Sequence, residues 1–191
     1  MPVPIENEKL EQYHRDGFAI VSDLFTADEI ARYRDHYMEM RHKNNEEEGM
    51  DIIGDTGDPL RKYSRLMHPH RYDALSRDWL LDPRIGGWLT ALCGKAPYAV
   101  QTMVYFKPAG ARGQALHQDQ FYLRVQPGTC IAAWMALDDC DEENGCLQVV
   151  PGTHTLPVLC SVPADTTQSF TDDTVDLPEG MLPVPVIMKA G

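Results

Sequence analysis

Several kinds of segment are missing from these 191 residues, and each absence narrows the reading. No run approaches the roughly 18 consecutive apolar residues of a membrane-spanning helix. The opening Met1-Pro2-Val3-Pro4-Ile5-Glu6-Asn7-Glu8 has neither the basic start nor the apolar stretch of a secretory leader, so a cytoplasmic location is expected. Internal repeats, low-complexity tracts and Ser/Gly linkers are absent, which predicts one domain over 1–191. Positive charge is scarce: 17 Lys and Arg face 29 Asp and Glu, for a net charge of -12. Nucleic acid and anionic membrane surfaces are therefore poor partners. The five cysteines form an odd set without a CxxC pair, a pattern of free thiols in a reducing compartment. Without GxSxG, Walker, GxGxxG or HExxH motifs, serine hydrolases, P-loop enzymes and zincins lose their usual support. What is present is ordinary globular composition, 43% hydrophobic and 24% charged, with mean hydropathy -0.37. An enzyme or small-ligand binder remains.

The first part of the chain, residues 1–97, reads as a helical layer. Leu10 and Tyr13 belong to a short amphipathic helix that Gly17 stops, before a brief strand over Phe18–Val21. Thr26-Ala27-Asp28-Glu29 has the form of a capping box, in which hydroxyl and carboxylate satisfy orphan amides reciprocally. Ile30, Tyr33, Tyr37 and Met40 follow at helical spacing, and 43–59 reads as a solvated loop. A third helix is predicted between the cap Asp82, with Pro83 in its first turn, and the stop Gly94; Ile85, Trp88, Leu89 and Leu92 form its apolar face. His36, His42, His68 and His70 are expected to face solvent, and His154, after a Pro-Gly-Thr turn, to bond backbone.

From Tyr98 the period changes to two. Gln101, Met103 and Tyr105 fall on one face of a strand over Tyr98–Lys107, with Thr102, Val104 and Phe106 on the other. Further strands are expected over Ala115–Leu123, Cys130–Leu137, Cys146–Val150, Leu156–Val162 and Leu182–Met188, with Asn144-Gly145 as the strongest turn. Residues 98–191 thus suggest a sandwich or jelly roll behind the helices.

His117-Gln118-Asp119 is the candidate chemical centre. On a strand, residues two apart project the same way, so an imidazole and a carboxylate could hold one cation. They would form two thirds of a 2-His-1-carboxylate triad with positions left open for ligands. The same pattern at His14-Arg15-Asp16 serves as an internal control. It ends a helix, where residues two apart diverge by about 200° and cannot share a metal.

Three separated motifs carry more than spacing: Leu116–Tyr122, Ala133–Asp138, and Glu143–His154 with its Asn-Gly turn and Pro-Gly-Thr-His. Together with His14–Val21 and Leu24–Thr26 they resemble the phytanoyl-CoA dioxygenase family of Fe(II)/2-oxoglutarate oxygenases. The resemblance implies a mixed, mainly β fold, a double-stranded β-helix with N-terminal helices. It implies Fe(II) held by His117 and Asp119, and 2-oxoglutarate as cosubstrate. A small-molecule or acyl-type substrate would be hydroxylated by dioxygen, with succinate and carbon dioxide as co-products. Trp134 and Met103 match cofactor-pocket positions, and Arg65 falls near a basic cosubstrate contact. Gln101 and Tyr105 share the strand face of Met103 and join that pocket. A second iron-binding His and a carboxylate-binding Arg follow a Gly-Asp turn in the family. They are expected beyond Gly191, and the last strands of the jelly roll with them. A non-catalytic jelly-roll binding protein without that His and Arg is the alternative.

Overall fold

A computed structural model describes residues 4–43, 50–51 and 65–191. The N-terminal signals translate directly into helices. α1 spans Asn7–Asp16 and ends at Gly17, whose φ of 85° is the left-handed conformation that favours glycine. α2, Ala27–Lys43, opens with the capping box: the Thr26 amide donates to Glu29 at 2.8 Å and the Glu29 amide to the Thr26 hydroxyl at 3.3 Å. α4, Pro83–Cys93, is capped by Asp82, which accepts from the Arg84 amide at 2.8 Å, and stops at Gly94. Between them lies α3, Ala74–Leu80, which the sequence reading missed; Asp73 caps it by accepting from the Ser76 amide at 2.7 Å. His36 does not simply face solvent. Its Nε2 lies 2.9 Å from the other Asp73 oxygen and ties α2 to α3.

Strands are shorter than expected, and helix outweighs strand among the described residues. β1 (Met50–Asp51), β2 (Arg65–Met67) and β3 (Met103–Tyr105) form an antiparallel sheet in that order. The layer before residue 98 is therefore not purely helical, and of the predicted strand Tyr98–Lys107 only the centre pairs. Of the predicted loop over 43–59, Lys43 ends α2 and Met50–Asp51 form β1, while 44–49 and 52–59 lie outside the described residues. Phe18–Val21 and Cys130–Leu137 form no ladder, because propensity alone makes no sheet without a neighbouring strand; the Ala136 carbonyl accepts instead from the Gly191 amide at 3.1 Å. Ala115–Leu123 divides into an extended entry and a helical turn, α5, over Asp119–Leu123.

Two antiparallel pairs, one nested in sequence within the other, complete the sheet structure. β4 (Leu147–Val149) pairs with β7 (Val184–Val186), and β5 (Ser161–Pro163) with β6 (Asp173–Val175). Gly191 is tied back into the helices, its carbonyl accepting from the Leu24 and Phe25 amides at 2.9 and 3.1 Å.

The core lies between helices and the first sheet. Phe25, Ile30, Tyr33, Tyr37, Leu75 and Ile85 come from the helical segments, and Leu66 comes from the inner face of β2. At about 1.5–3 kcal/mol for each fully buried apolar side chain, this contact fixes the sheet against α2, α3 and α4. Successive strand residues alternate, so burying Leu66 and Val104 leaves Arg65, Met67, Met103 and Tyr105 on the outer face. That outer face is where the candidate site forms.

Candidate active site

The chain around His117 is pinned from one side. The Leu116 carbonyl accepts from the Val175 amide and the Thr174 hydroxyl, each at 3.1 Å. Gln118 is extended, with φ -111° and ψ 124°. Its side-chain amide donates to the Pro157 carbonyl at 3.2 Å and accepts from the Leu159 amide at 2.7 Å. With Gln118 turned that way, an extended backbone sends His117 and Asp119 to the opposite side. The predicted strand was wrong beyond this point, yet the one residue that governs the pair's alignment is extended.

The two side chains converge: His117 Nε2 stands 3.3 Å from Asp119 Oδ1, with side-chain exposures of 30% and 44%. His117 Nδ1 lies 2.8 Å from the Ala115 carbonyl. A carbonyl only accepts, so Nδ1 carries the proton and Nε2 is directed at the carboxylate. The imidazole pKa is raised, chiefly by its hydrogen bond to Asp119; burial opposes this and the Ala115 carbonyl adds to it. Arg65 acts in the other direction on the same ring, which sets this guanidinium within electrostatic reach of the pair.

Arg65 arrives through sheet register. It sits opposite Tyr105, as Met67 sits opposite Met103, so the four share the outer face. The Tyr105 hydroxyl lies 3.3 Å from Gln114 Oε1 and 3.5 Å from the Met103 sulfur. Gln101 is half-buried just before β3, beside the buried Thr102. Trp134 is 41% exposed. The sequence reading missed the Ala115 carbonyl and Met67. A backbone carbonyl two residues before the His carries no residue-type signal, and three-residue β2 offers too little periodicity for the second.

The donor set suits a hard or borderline divalent cation. One neutral imidazole and one carboxylate are two ligands of a facial triad. Two adjacent donors with bonds near 2.1 Å stand about 3 Å apart, close to the 3.3 Å found. A cation there would displace the Nε2 proton, so its binding strengthens as pH rises through the raised His117 value. Among the described residues no group of three His, Cys, Asp or Glu side chains converges.

Among the described side chains, the other histidines do not join the pair. His68 and His70 are half-buried, contrary to the solvent role expected of them. His70 Nδ1 lies 2.6 Å from the Thr102 hydroxyl, and burial lowers the pKa of both rings. His154 packs on the helix stop at Gly17. At the control motif, Asp16 is taken by Arg15 through two bonds of 2.9 and 2.8 Å.

The profile of the family described as phytanoyl-CoA dioxygenase (PhyH) matches residues 13–191. The chain belongs to this family. Peroxisomal phytanoyl-CoA dioxygenase of Rattus norvegicus is 28% identical over 163 residues, covering 79% of this chain and 48% of the rat protein. The chain thus spans about half the length of the curated peroxisomal relatives it matches. The non-heme alpha ketoglutarate dependent epimerase SnoN, from nogalamycin biosynthesis, superposes with a TM-score of 0.69 and 26% identity. That match covers 97% of this chain and 68% of SnoN. SnoN is also solved in complex with Fe3+, alpha ketoglutarate and nogalamycin RO, where the TM-score is 0.64 at 21% identity, over 97% of this chain and 71% of that one. The superposition on SnoN covers nearly the whole chain, so the overall fold is shared with that enzyme.

Proposed function

We propose that this chain is the iron- and 2-oxoglutarate-binding part of an oxygenase that hydroxylates a small-molecule or acyl-type substrate. The observation that carries the reading is the convergence of His117 Nε2 and Asp119, with Nδ1 protonated against Ala115. Family membership and the Fe3+ and alpha ketoglutarate complex of SnoN support the choice of Fe(II) and 2-oxoglutarate. His117 and Asp119 would hold the iron, with a histidine beyond the described residues as the proposed third ligand. When bound, that centre supplies oxidative decarboxylation of 2-oxoglutarate by dioxygen, with succinate and carbon dioxide formed as a second substrate is oxygenated.

The chain's own contribution is positioning. The Ala115 carbonyl keeps the Nδ1 proton in place and fixes the ring plane. Arg65 offers positive charge to an anionic cosubstrate from the outer face of β2. Met103 and Tyr105 form the adjoining wall, and Gln101 and Trp134 are proposed to extend it. Leu66, buried beneath, holds this face in register. Residues 1–191 act together as one oxygenase domain in this reading, and the five free thiols support a cytoplasmic location.

The test is succinate release, measured against 2-oxoglutarate loss with Fe(II), in protein carrying this chain. One succinate per 2-oxoglutarate is expected, with His117→Ala and Asp119→Ala at background and His14→Ala unchanged. Full turnover in His117→Ala would overturn the site.

A further inference from the structure

Ser169 is one of three buried polar residues among those described, at 5% exposure. A hydroxyl withdrawn that far from water is costly unless bonded, and this one is saturated. Its oxygen accepts from the Ala115 amide at 3.0 Å and from the Thr171 amide at 2.9 Å. Both lone pairs are then used, so the hydroxyl proton goes to Thr171 Oγ1, 2.8 Å away. Thr171 Oγ1 also accepts from the Ala115 amide at 3.3 Å and passes its own proton to the Asp173 carbonyl at 3.4 Å. The bonding of both hydroxyls is complete, and its direction is fixed.

What the two hydroxyls hold in common is the backbone of Ala115, whose carbonyl stands 2.8 Å from His117 Nδ1. That carbonyl belongs to the peptide between Ala115 and Leu116. On one flank the Ala115 amide is anchored by the hydroxyl pair. On the other, the Leu116 carbonyl accepts from the Val175 amide and the Thr174 hydroxyl. Two residues before Ala115, the Gly113 amide donates to the Gln168 carbonyl, and the Gly113 carbonyl accepts from the Phe170 amide, both at 2.9 Å. Residues 113–116 are thereby laid along 168–175. Each residue supplies only two soft torsions, so a planar peptide fixed at both flanks has little freedom to turn its carbonyl away. The Ala115 amide is held by side-chain oxygens, and so is the link that substitution can remove.

We propose that Ser169, with Thr171, is a positioning residue for the metal site: the hydroxyl pair fixes Ala115, whose carbonyl then keeps the proton on His117 Nδ1 and leaves Nε2 to the metal. That Nε2 is a metal ligand rests on the iron reading given above; the control of the ring's tautomer does not.

The experiment takes two readouts on the full chain. In metal-free protein at alkaline pH, where the ring is neutral, long-range imidazole NMR spectra give the ratio of Nδ1-H to Nε2-H tautomers at His117. Anaerobic Fe(II) titration gives the metal affinity. Ser169→Ala should lower the tautomer ratio at least about fivefold and weaken Fe(II) binding about tenfold, the low end of what orienting partners contribute. Thr171→Val keeps the shape, removes the hydroxyl and should shift both readouts the same way by less; Thr171→Ser should restore them. Ser76→Ala is the control, since Ser76 is 1% exposed and bonds Tyr37 and Asp73 within the helical layer. It should lower the melting temperature and leave both readouts alone. An unchanged tautomer ratio in folded Ser169→Ala, or in Thr171→Val should Ser169→Ala not fold, would overturn the proposal. So would unchanged Fe(II) affinity in that variant where the parent binds Fe(II), or equal shifts in Ser76→Ala. A parent protein that binds no Fe(II) would overturn the oxygenase reading and leave the tautomer result standing.

Discussion

Replacing Arg84 by Met should destabilise the helical layer more than any other single loss of charge in the described residues. The guanidinium sits at the start of α4 and saturates its surroundings. It grips Asp82 through Nε and Nη2 at 3.0 and 2.8 Å, and Glu29 through Nη1 and Nη2 at 3.0 and 2.8 Å. Nη1 also reaches the Leu24 carbonyl at 3.0 Å, and the Phe25 ring lies 4.1 Å beneath. Removing one partner of a buried pair costs about 3–5 kcal/mol, whereas exposed pairs contribute about 0.2–1. Asp82 is near the first limit at 12% exposure and Glu29 near the second at 37%. An intermediate loss of about 2–3 kcal/mol follows, or roughly 5–10 °C in Tm at this chain length. Lys at this position keeps the charge without the fork and should recover less than half. Acid supplies a second readout. Arg84 and the Thr26 amide hold the Glu29 carboxyl down to about 2. A depressed folded value gives stability that is present above the unfolded carboxyl range and lost as pH falls toward 2. The gap between parent and Arg84→Met should therefore narrow from pH 4.5 downward. Urea melts followed by circular dichroism measure both. A loss under about 0.5 kcal/mol at neutral pH, or a gap that widens in acid, would refute the reasoning.

Gly17→Ala should cost about 1–2 kcal/mol or more in the same melts, since φ is 85° and the added Cβ would lie 2.4 Å from His154 Nδ1; unchanged stability would mean that this helix stop is not held against His154. Met103 and Val104 should separate by face. Met103→Ala should raise the 2-oxoglutarate concentration needed for half-saturation at nearly constant stability, whereas Val104→Ala should cost about 1 kcal/mol and leave the cosubstrate requirement alone. Equal effects on cosubstrate binding would contradict the register of β2 and β3.

The features legible in the sequence were local. Thr26 with Glu29, and Asp82-Pro83 with Gly94, specify helix ends through bonds made within a few residues, and they fold as read. The HxD pair was legible because its alignment depends on a single extended residue, Gln118. Strands were not, because pairing is decided by distant partners. Arg65-Leu66-Met67 is too short to show alternation, yet its register with β3 is what brings Arg65 onto the Met103 and Tyr105 face. Phe121-Tyr122-Leu123 has the bulk of a strand, but lies in a helical turn that opens at Asp119. The half-buried His68 and His70 were misread for the same reason: Thr102, which receives His70, is 32 residues away.

Metal binding tests the central claim most directly. Anaerobic titration of Fe(II) into the protein, followed by 2-oxoglutarate, reports the site through the visible charge-transfer absorption of a chelated 2-oxo acid. Parent and His14→Ala should show saturable binding that strengthens with rising pH, and His117→Ala and Asp119→Ala should lose it by tenfold or more. Undiminished Fe(II) binding in both His117→Ala and Asp119→Ala would contradict the account.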